Sequence, residues 1–146
     1  MSLTPQQVEK EINNIDKKTD LDLIKDFYNW RLPVNARQKQ IAPSGNWTNW
    51  LILAGRGFGK TRTGAEWIRE RVETGEAKRI AIVGKTPADV RDVMIEGESG
   101  IITISPPWNK PDYQPSRRRL VWKNGSVAHI FSSYEPDQLR GPQFDT

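Results

Sequence analysis

Hydrophobic residues change period several times along this chain. Val8, Ile12 and Ile15 recur at helical spacing behind Thr4-Pro5-Gln6-Gln7, where a cap hydroxyl, a first-turn proline and an amide three residues on form a capping box. Leu21, Leu23, Ile24 and Phe27 predict a second short helix with one apolar face. Residues 1–29 therefore read as a helical arm, packed on the rest of the chain or on a neighbouring subunit. After Asn29, Pro33, Pro43 and Gly45 interrupt any period, and Trp30, Trp47 and Trp50 offer aromatic anchors for a loop. Trp50-Leu51-Ile52-Leu53-Ala54 is then a continuous apolar run, the pattern of a parallel strand buried on both faces.

A helical period resumes through Ala65, Ile68 and Val72 and is closed by Gly75. Arg79-Ile80-Ala81-Ile82-Val83-Gly84 predicts a second buried strand. Thr86-Pro87 caps a helix with Val90, Val93 and Met94 on one face. Pro106, Pro107, Pro111 and Pro115 make residues 105–116 an irregular loop. Arg119–Lys123 and Ser126–Phe131 alternate around Asn124-Gly125, a strong hairpin signal. Strand, glycine-rich loop, helix, strand, helix is the order of an α/β domain with right-handed parallel crossovers.

Composition narrows the chemistry. The chain has no cysteine, so disulfide scaffolds and thiolate metal sites are excluded, and a single histidine, His129, leaves little for a zinc hydrolase or a histidine-based triad. His129 alternates with apolar neighbours and reads as structural. No apolar run approaches the length of a membrane span, and the first thirty residues lack the basic end and apolar stretch of a signal peptide. A cytoplasmic protein without a membrane partner is expected. Charge is divided: residues 1–29 hold four lysines against six acids, and residues 30–146 hold eighteen Lys/Arg against twelve acids. That surplus fits either a solvated surface or a polyanionic partner such as nucleotide phosphate or DNA.

The loop decides between these. Ala54, four residues, then Gly59-Lys60-Thr61 is the Walker A pattern with alanine at its first position. Gly55, Gly57 and Gly59 give the backbone the freedom to turn successive N–H groups inward around phosphates, with Phe58 between them. Lys60 would reach the β- and γ-phosphates of ATP, and the Thr61 hydroxyl would ligate Mg²⁺. The helix that follows adds its N-terminal dipole. Arg56 is an additional cation in the loop, available to the γ-phosphate or simply facing solvent. Arg117-Arg118-Arg119 could meet DNA phosphates or be solvated, and the spacing does not choose.

The run from Trp50 to Trp67, through Gly-Arg-Gly-Phe-Gly-Lys-Thr-Arg-Thr-Gly-Ala-Glu, closely resembles the large terminase subunits of tailed phages and prophages, which are DNA-packaging ATPases. Ile82–Met94 resembles that family's second strand and helix, and Ser132–Asp145 resembles the segment leading into its Walker B strand. The resemblance spans residues 30–146. It implies a P-loop NTPase fold with a parallel sheet of the additional-strand type, incomplete at the C-terminus. The Walker B Asp-Glu pair would follow Thr146, Asp145 would not be its acid, and the nuclease domain would be absent. Turnover by these residues alone is thereby in question. The resemblance implies an adenine-reading role for Gln38, catalytic roles for Lys60 and Arg56, and an arginine-finger role for Arg140. It also implies double-stranded DNA, a small terminase subunit and a portal as partners, a homo-oligomeric ring when full length, and work in the host cytoplasm. Another P-loop ATPase such as a helicase, or a non-catalytic nucleotide- or DNA-binding fragment, is the alternative.

Overall fold

The computed structural model describes residues 4–7, 10, 19–32, 35–36 and 40–146. Val8, Ile12, Ile15, Pro33 and Gln38 lie outside these residues. The chain divides into two compact units, Met1–Gln38 and Lys39–Thr146.

In the first unit the Thr4 capping box forms: the Thr4 N–H donates to Gln7 Oε1 at 2.9 Å, and the Gln7 N–H donates to Thr4 Oγ1 at 3.4 Å. Helix α1, Asp20–Phe27, starts at Thr19, whose hydroxyl accepts from the Asp22 N–H. Its apolar residues Leu21, Ile24 and Phe27 are exposed. Its C-terminal carbonyls are gathered by one side chain, Asn35, whose Nδ2 donates to the carbonyl oxygens of Asp26, Phe27 and Asn29.

The second unit is built on a four-stranded sheet in the order β1-β4-β3-β2. Strand β1, Arg79–Gly84, pairs in parallel with β4, Val127–Ser132. Strand β3, Arg119–Val121, is antiparallel to both β4 and β2, Asp112–Gln114. The sheet is therefore mixed and only partly parallel, where the resemblance implied a parallel sheet, and its antiparallel β3–β4 pair is the expected hairpin. The long crossover between β1 and β4 makes one parallel pair, and the Asn124-Gly125 hairpin makes the next pair antiparallel. That hairpin closes through Lys123, Asn124 and Gly125, with the Gly125 N–H donating to the Trp122 carbonyl and Gly125 at φ 88°. A turn followed by a left-handed residue matches the strand twist. Asn124 Nδ2 and Ser126 Oγ donate to the Val72 and Ala77 carbonyls, which ties the hairpin tip to the end of the preceding helix. Gly125→Ala forces a Cβ into the left-handed region and is expected to cost about 1–2 kcal/mol, read from the denaturant midpoint.

Helix α2, Lys60–Glu73, ends as its sequence predicts. Gly75 is left-handed at φ 76°, and the Glu76 and Ala77 N–H groups return to the Arg71 carbonyl. Thr86 caps helix α3, Pro87–Asp89, through a full capping box with Asp89. A π-helical turn, Val90–Ile95, continues α3, and a short helix α4, Ile101–Ile104, follows. Ile80 and Ile82 of β1 align with Ala128 and Ile130 of β4 on one face. With Leu120 and Trp122 they pack against Ala65 and Val72 of α2, Val90, Ile95, and Ile101 and Ile104 of α4.

Three expectations change. First, Trp50–Ala54 carries no strand, and Leu51 and Leu53 are 77% and 85% exposed. A strand needs a neighbouring backbone for its N–H and C=O groups, and no strand of this sheet pairs with the segment. Second, β1 is not buried on both faces: Ile80 and Ile82 are buried, whereas Arg79 and Val83 are exposed. Among the described residues, helices pack on the face that carries Ile80 and Ile82. Third, residues 105–116 contain a strand, β2. Pro111 and Pro115 bracket it without interrupting its ladder, and β2 is an edge strand, where proline is tolerated.

The C-terminal residues lie along the second edge of β1. The Asp145 N–H donates to the Arg79 carbonyl, and the Ala81 N–H donates to the Thr146 carbonyl, both at 2.9 Å. The Asp145 carboxylate accepts from the Lys78 and Arg79 N–H groups at 3.0–3.2 Å. It therefore serves as a backbone acceptor at the start of β1. Phe144 packs edge-on to Phe131, and its ring centroid lies 6.4 Å from that of His129.

Candidate functional site

Residues 54–61 form a turn that feeds directly into α2. Gly57 and Gly59 take φ values of 77° and 90°, which only glycine adopts without strain, and Gly59 is the N-cap of the helix. The first hydrogen bond of α2 runs from the Thr63 N–H to the Gly59 carbonyl at 2.9 Å, and the buried Thr63 hydroxyl donates to the same oxygen. The N–H groups of Lys60 and Thr61 precede that bond and lie at the helix start, where backbone donors have no carbonyl one turn back. Fourteen residues of aligned peptide dipoles add positive potential there.

Lys60 is exposed, and its ammonium donates to the Ala54 and Gly55 carbonyls at 2.7 and 2.8 Å. Its charge is thus held over the loop instead of extending into solvent. Phe58 contributes its carbonyl, which accepts from Gln40 Nε2 at 2.7 Å. Trp47 pins the segment before the loop to α2: its ring lies 6.1 Å from Trp50 and 6.2 Å from Trp67, and its Nε1 donates to the Pro43 carbonyl.

A cleft of about 510 Å³ opens at the helix start. One wall is Arg56, Gly57, Gly59, Lys60, Thr61 and Arg62, and the other is Asp92, Val93, Gly97, Glu98 and Ser99. The second wall was not legible in the sequence. The π-helical turn and the Gly97–Gly100 turn build it, and a Cβ on Gly100 would fall 2.5 Å from the Ile95 carbonyl oxygen. Asp92 carries a hydrogen bond from Arg91 at 2.6 Å, which holds its carboxyl below the usual carboxylate range. The cleft thus faces a cationic helix start with an anionic rim, and a ligand with several negative charges fits against the first wall.

The structure brings together Arg56, Gly57, Gly59, Lys60 and Thr61, with Gly55 and Phe58 contributing carbonyls to the same loop. Arg140 does not line this cleft. It follows a 3-10 turn, Pro136–Leu139, is 86% exposed, and pairs with Asp137 at 3.1 Å. Arg117 and Arg118 are exposed, and Arg119 donates to Gln114 Oε1 at 2.8 Å across β2 and β3. Gln40 is the contributor that sequence reading missed. An isolated glutamine in a loop carries no pattern, and only its burial against Phe58 marks it.

The family model described as terminase large subunit, T4likevirus-type, N-terminal, matches residues 51–146. The chain belongs to the terminase large subunit family. These subunits are phage DNA-packaging motor components, and DNA and packaging-motor partners follow from membership. The match begins at Leu51, so the terminase region includes the glycine-rich loop, α2 and the entire sheet. No curated protein and no solved structure matches the chain. No helix among the described residues of this terminase chain is long and apolar enough to cross a membrane.

Proposed function

We propose that residues 54–61 are a P-loop and that this chain is the ATP-binding part of a viral motor that couples ATP hydrolysis to translocation of double-stranded DNA into a procapsid. The observation that carries this is the junction of a glycine-rich turn with α2, where Lys60, Thr61 and the start of the helix meet in one cationic cleft wall within a terminase sequence. The phosphate chain of ATP would draw the Lys60 ammonium from the Ala54 and Gly55 carbonyls, and a charged phosphate oxygen is the stronger acceptor. Arg56 would add charge beside the γ-phosphate. Gln38 is proposed to read adenine through its amide, which donates and accepts at once.

The residues present suit Mg²⁺, which keeps several waters and takes few protein ligands beside phosphate oxygens. Thr61 on the cleft wall would supply a hydroxyl ligand. When bound, the ion would neutralise phosphate charge. The exposed Arg140 suits a finger offered to a neighbouring subunit, which requires the proposed homo-oligomeric ring. The domain is then of the additional-strand P-loop class, working in the host cytoplasm with a small terminase subunit and a portal.

Titration with a fluorescent ATP analogue tests the site. In the wild type, Mg²⁺ is expected to tighten binding. Thr61→Val keeps the shape of the side chain and is expected to lose that Mg²⁺ effect while retaining metal-free binding. An unchanged metal dependence in the variant would remove Thr61 from the site, and no binding by the wild type would overturn the reading.

A further inference from the structure

Four carbonyls of the glycine-rich loop are each held by a donor. Lys60 Nζ holds those of Ala54 and Gly55, and the Thr63 N–H and hydroxyl hold that of Gly59. These donors belong to the loop and its own helix. The Phe58 carbonyl is different, because its donor, Gln40 Nε2, comes from eighteen residues earlier in the chain. Gln40 is 8% exposed, and its Nε2 lies 2.7 Å from the point where a Cβ on Gly59 would stand. The amide is therefore packed against the Phe58–Gly59 peptide itself.

That peptide is trans, as all described peptides are, so its carbonyl and N–H point to opposite sides. Glycine at 59 permits the plane to turn either way at little steric cost. One orientation presents the Gly59 N–H to the cleft. The other presents the Phe58 oxygen, a partial negative charge facing the place where an anion would sit. A donor that fixes the oxygen on the Gln40 side selects the first orientation before any ligand arrives.

We propose that Gln40 is a positioning residue that locks the Phe58–Gly59 peptide with its N–H toward the cleft, so that it sets affinity for the phosphate chain and not for the base. The inference rests on the nucleotide site proposed above. A lock made in advance removes the ordering cost from binding, and losing it costs affinity for every ligand that uses the loop N–H groups.

The test compares the wild-type chain with Gln40→Leu, which keeps bulk without a donor, and Gln40→Glu, whose carboxylate faces the Phe58 oxygen. Affinities are measured for inorganic tripolyphosphate, ATP and GTP, alongside thermal midpoints. Should the leucine variant fail to fold, Gln40→Asn, one methylene too short to reach Phe58, takes its place. The expected result is a loss of about tenfold for all three ligands with leucine or asparagine, and a larger loss with glutamate, at an unchanged ATP-to-GTP ratio. A purely structural role would move the thermal midpoint without this uniform loss in the folded variant. Retained tripolyphosphate affinity with a changed ATP-to-GTP ratio would make Gln40 a base reader and overturn the inference. Retained affinity for all three would overturn it too, with the nucleotide site intact. Failure of the wild type to bind tripolyphosphate would instead strike the nucleotide site and take the inference with it.

Discussion

Lys60→Ala is expected to weaken binding of a fluorescent ATP analogue by about a hundredfold while leaving the fold in place. Removing one member of a hydrogen-bonded charge pair typically costs about 2–5 kcal/mol of binding, and each 1.4 kcal/mol is about tenfold. The lower part of that range applies, because Arg56 and Arg62 line the same wall and retain some attraction for an anion. The fold should tolerate the change. The Lys60 side chain is exposed, its bonds to the Ala54 and Gly55 carbonyls are also exposed, and water can replace them. Matched circular dichroism and thermal midpoints would confirm an intact fold. Affinity within threefold of the wild type would show that the phosphate chain does not meet Lys60, and the P-loop proposal would fall with it.

Glu66→Leu is expected to destabilise the protein by about 3 kcal/mol, through the burial of an ion pair whose helical spacing is legible in the sequence but whose burial is not. Glu66 and Arg69 lie on α2 with side chains 3% and 6% exposed, and Arg69 Nε donates to Glu66 Oε2 at 2.8 Å. Arg62 binds the other carboxylate oxygen, and Arg69 reaches on to Glu73. Removing Glu66 deprives a buried guanidinium of its buried counter-charge. Glu73, only 31% exposed, remains, which places the cost at the low end of the range for broken buried pairs. The double replacement Glu66→Leu with Arg69→Met removes both charges and should cost less than Glu66→Leu alone, a coupling that a double-mutant cycle reads directly. Urea midpoints of the singles and the double provide the measurement. A loss below about 1 kcal/mol in Glu66→Leu would mean that water or another group compensates Arg69.

Local signals were the legible ones. Thr86-Pro87 predicts a capped helix start because the cap is made within four residues, and the structure completes it as a capping box with Asp89. Gly75 and Asn124-Gly125 mark a helix end and a hairpin because both need a left-handed residue at a defined place. The glycine-rich loop announces its cleft wall for the same reason: Arg56, Gly57, Gly59, Lys60 and Thr61 are close in sequence and so close in space. Misreadings arose wherever a distant partner decides the outcome. The apolar run Trp50–Ala54 matches a buried strand, yet burial and pairing depend on other segments, and Leu51 and Leu53 are exposed. Prolines suggested an irregular stretch over 105–116, although Tyr113 has Leu120 opposite it and the strand forms.

The sequence by itself determined the family, the capped helices, the hairpin and the glycine-rich turn, since each depends on backbone preferences and hydrogen bonds made within a few residues. Tertiary structure alone decided the strand order of the sheet, the anionic rim at Asp92 and Glu98, the burial of Glu66 with Arg69, and the contact of Gln40 with Phe58. Those features depend on which surfaces meet after folding, and a segment that is covered or contacted from elsewhere in the chain carries no periodic trace of it.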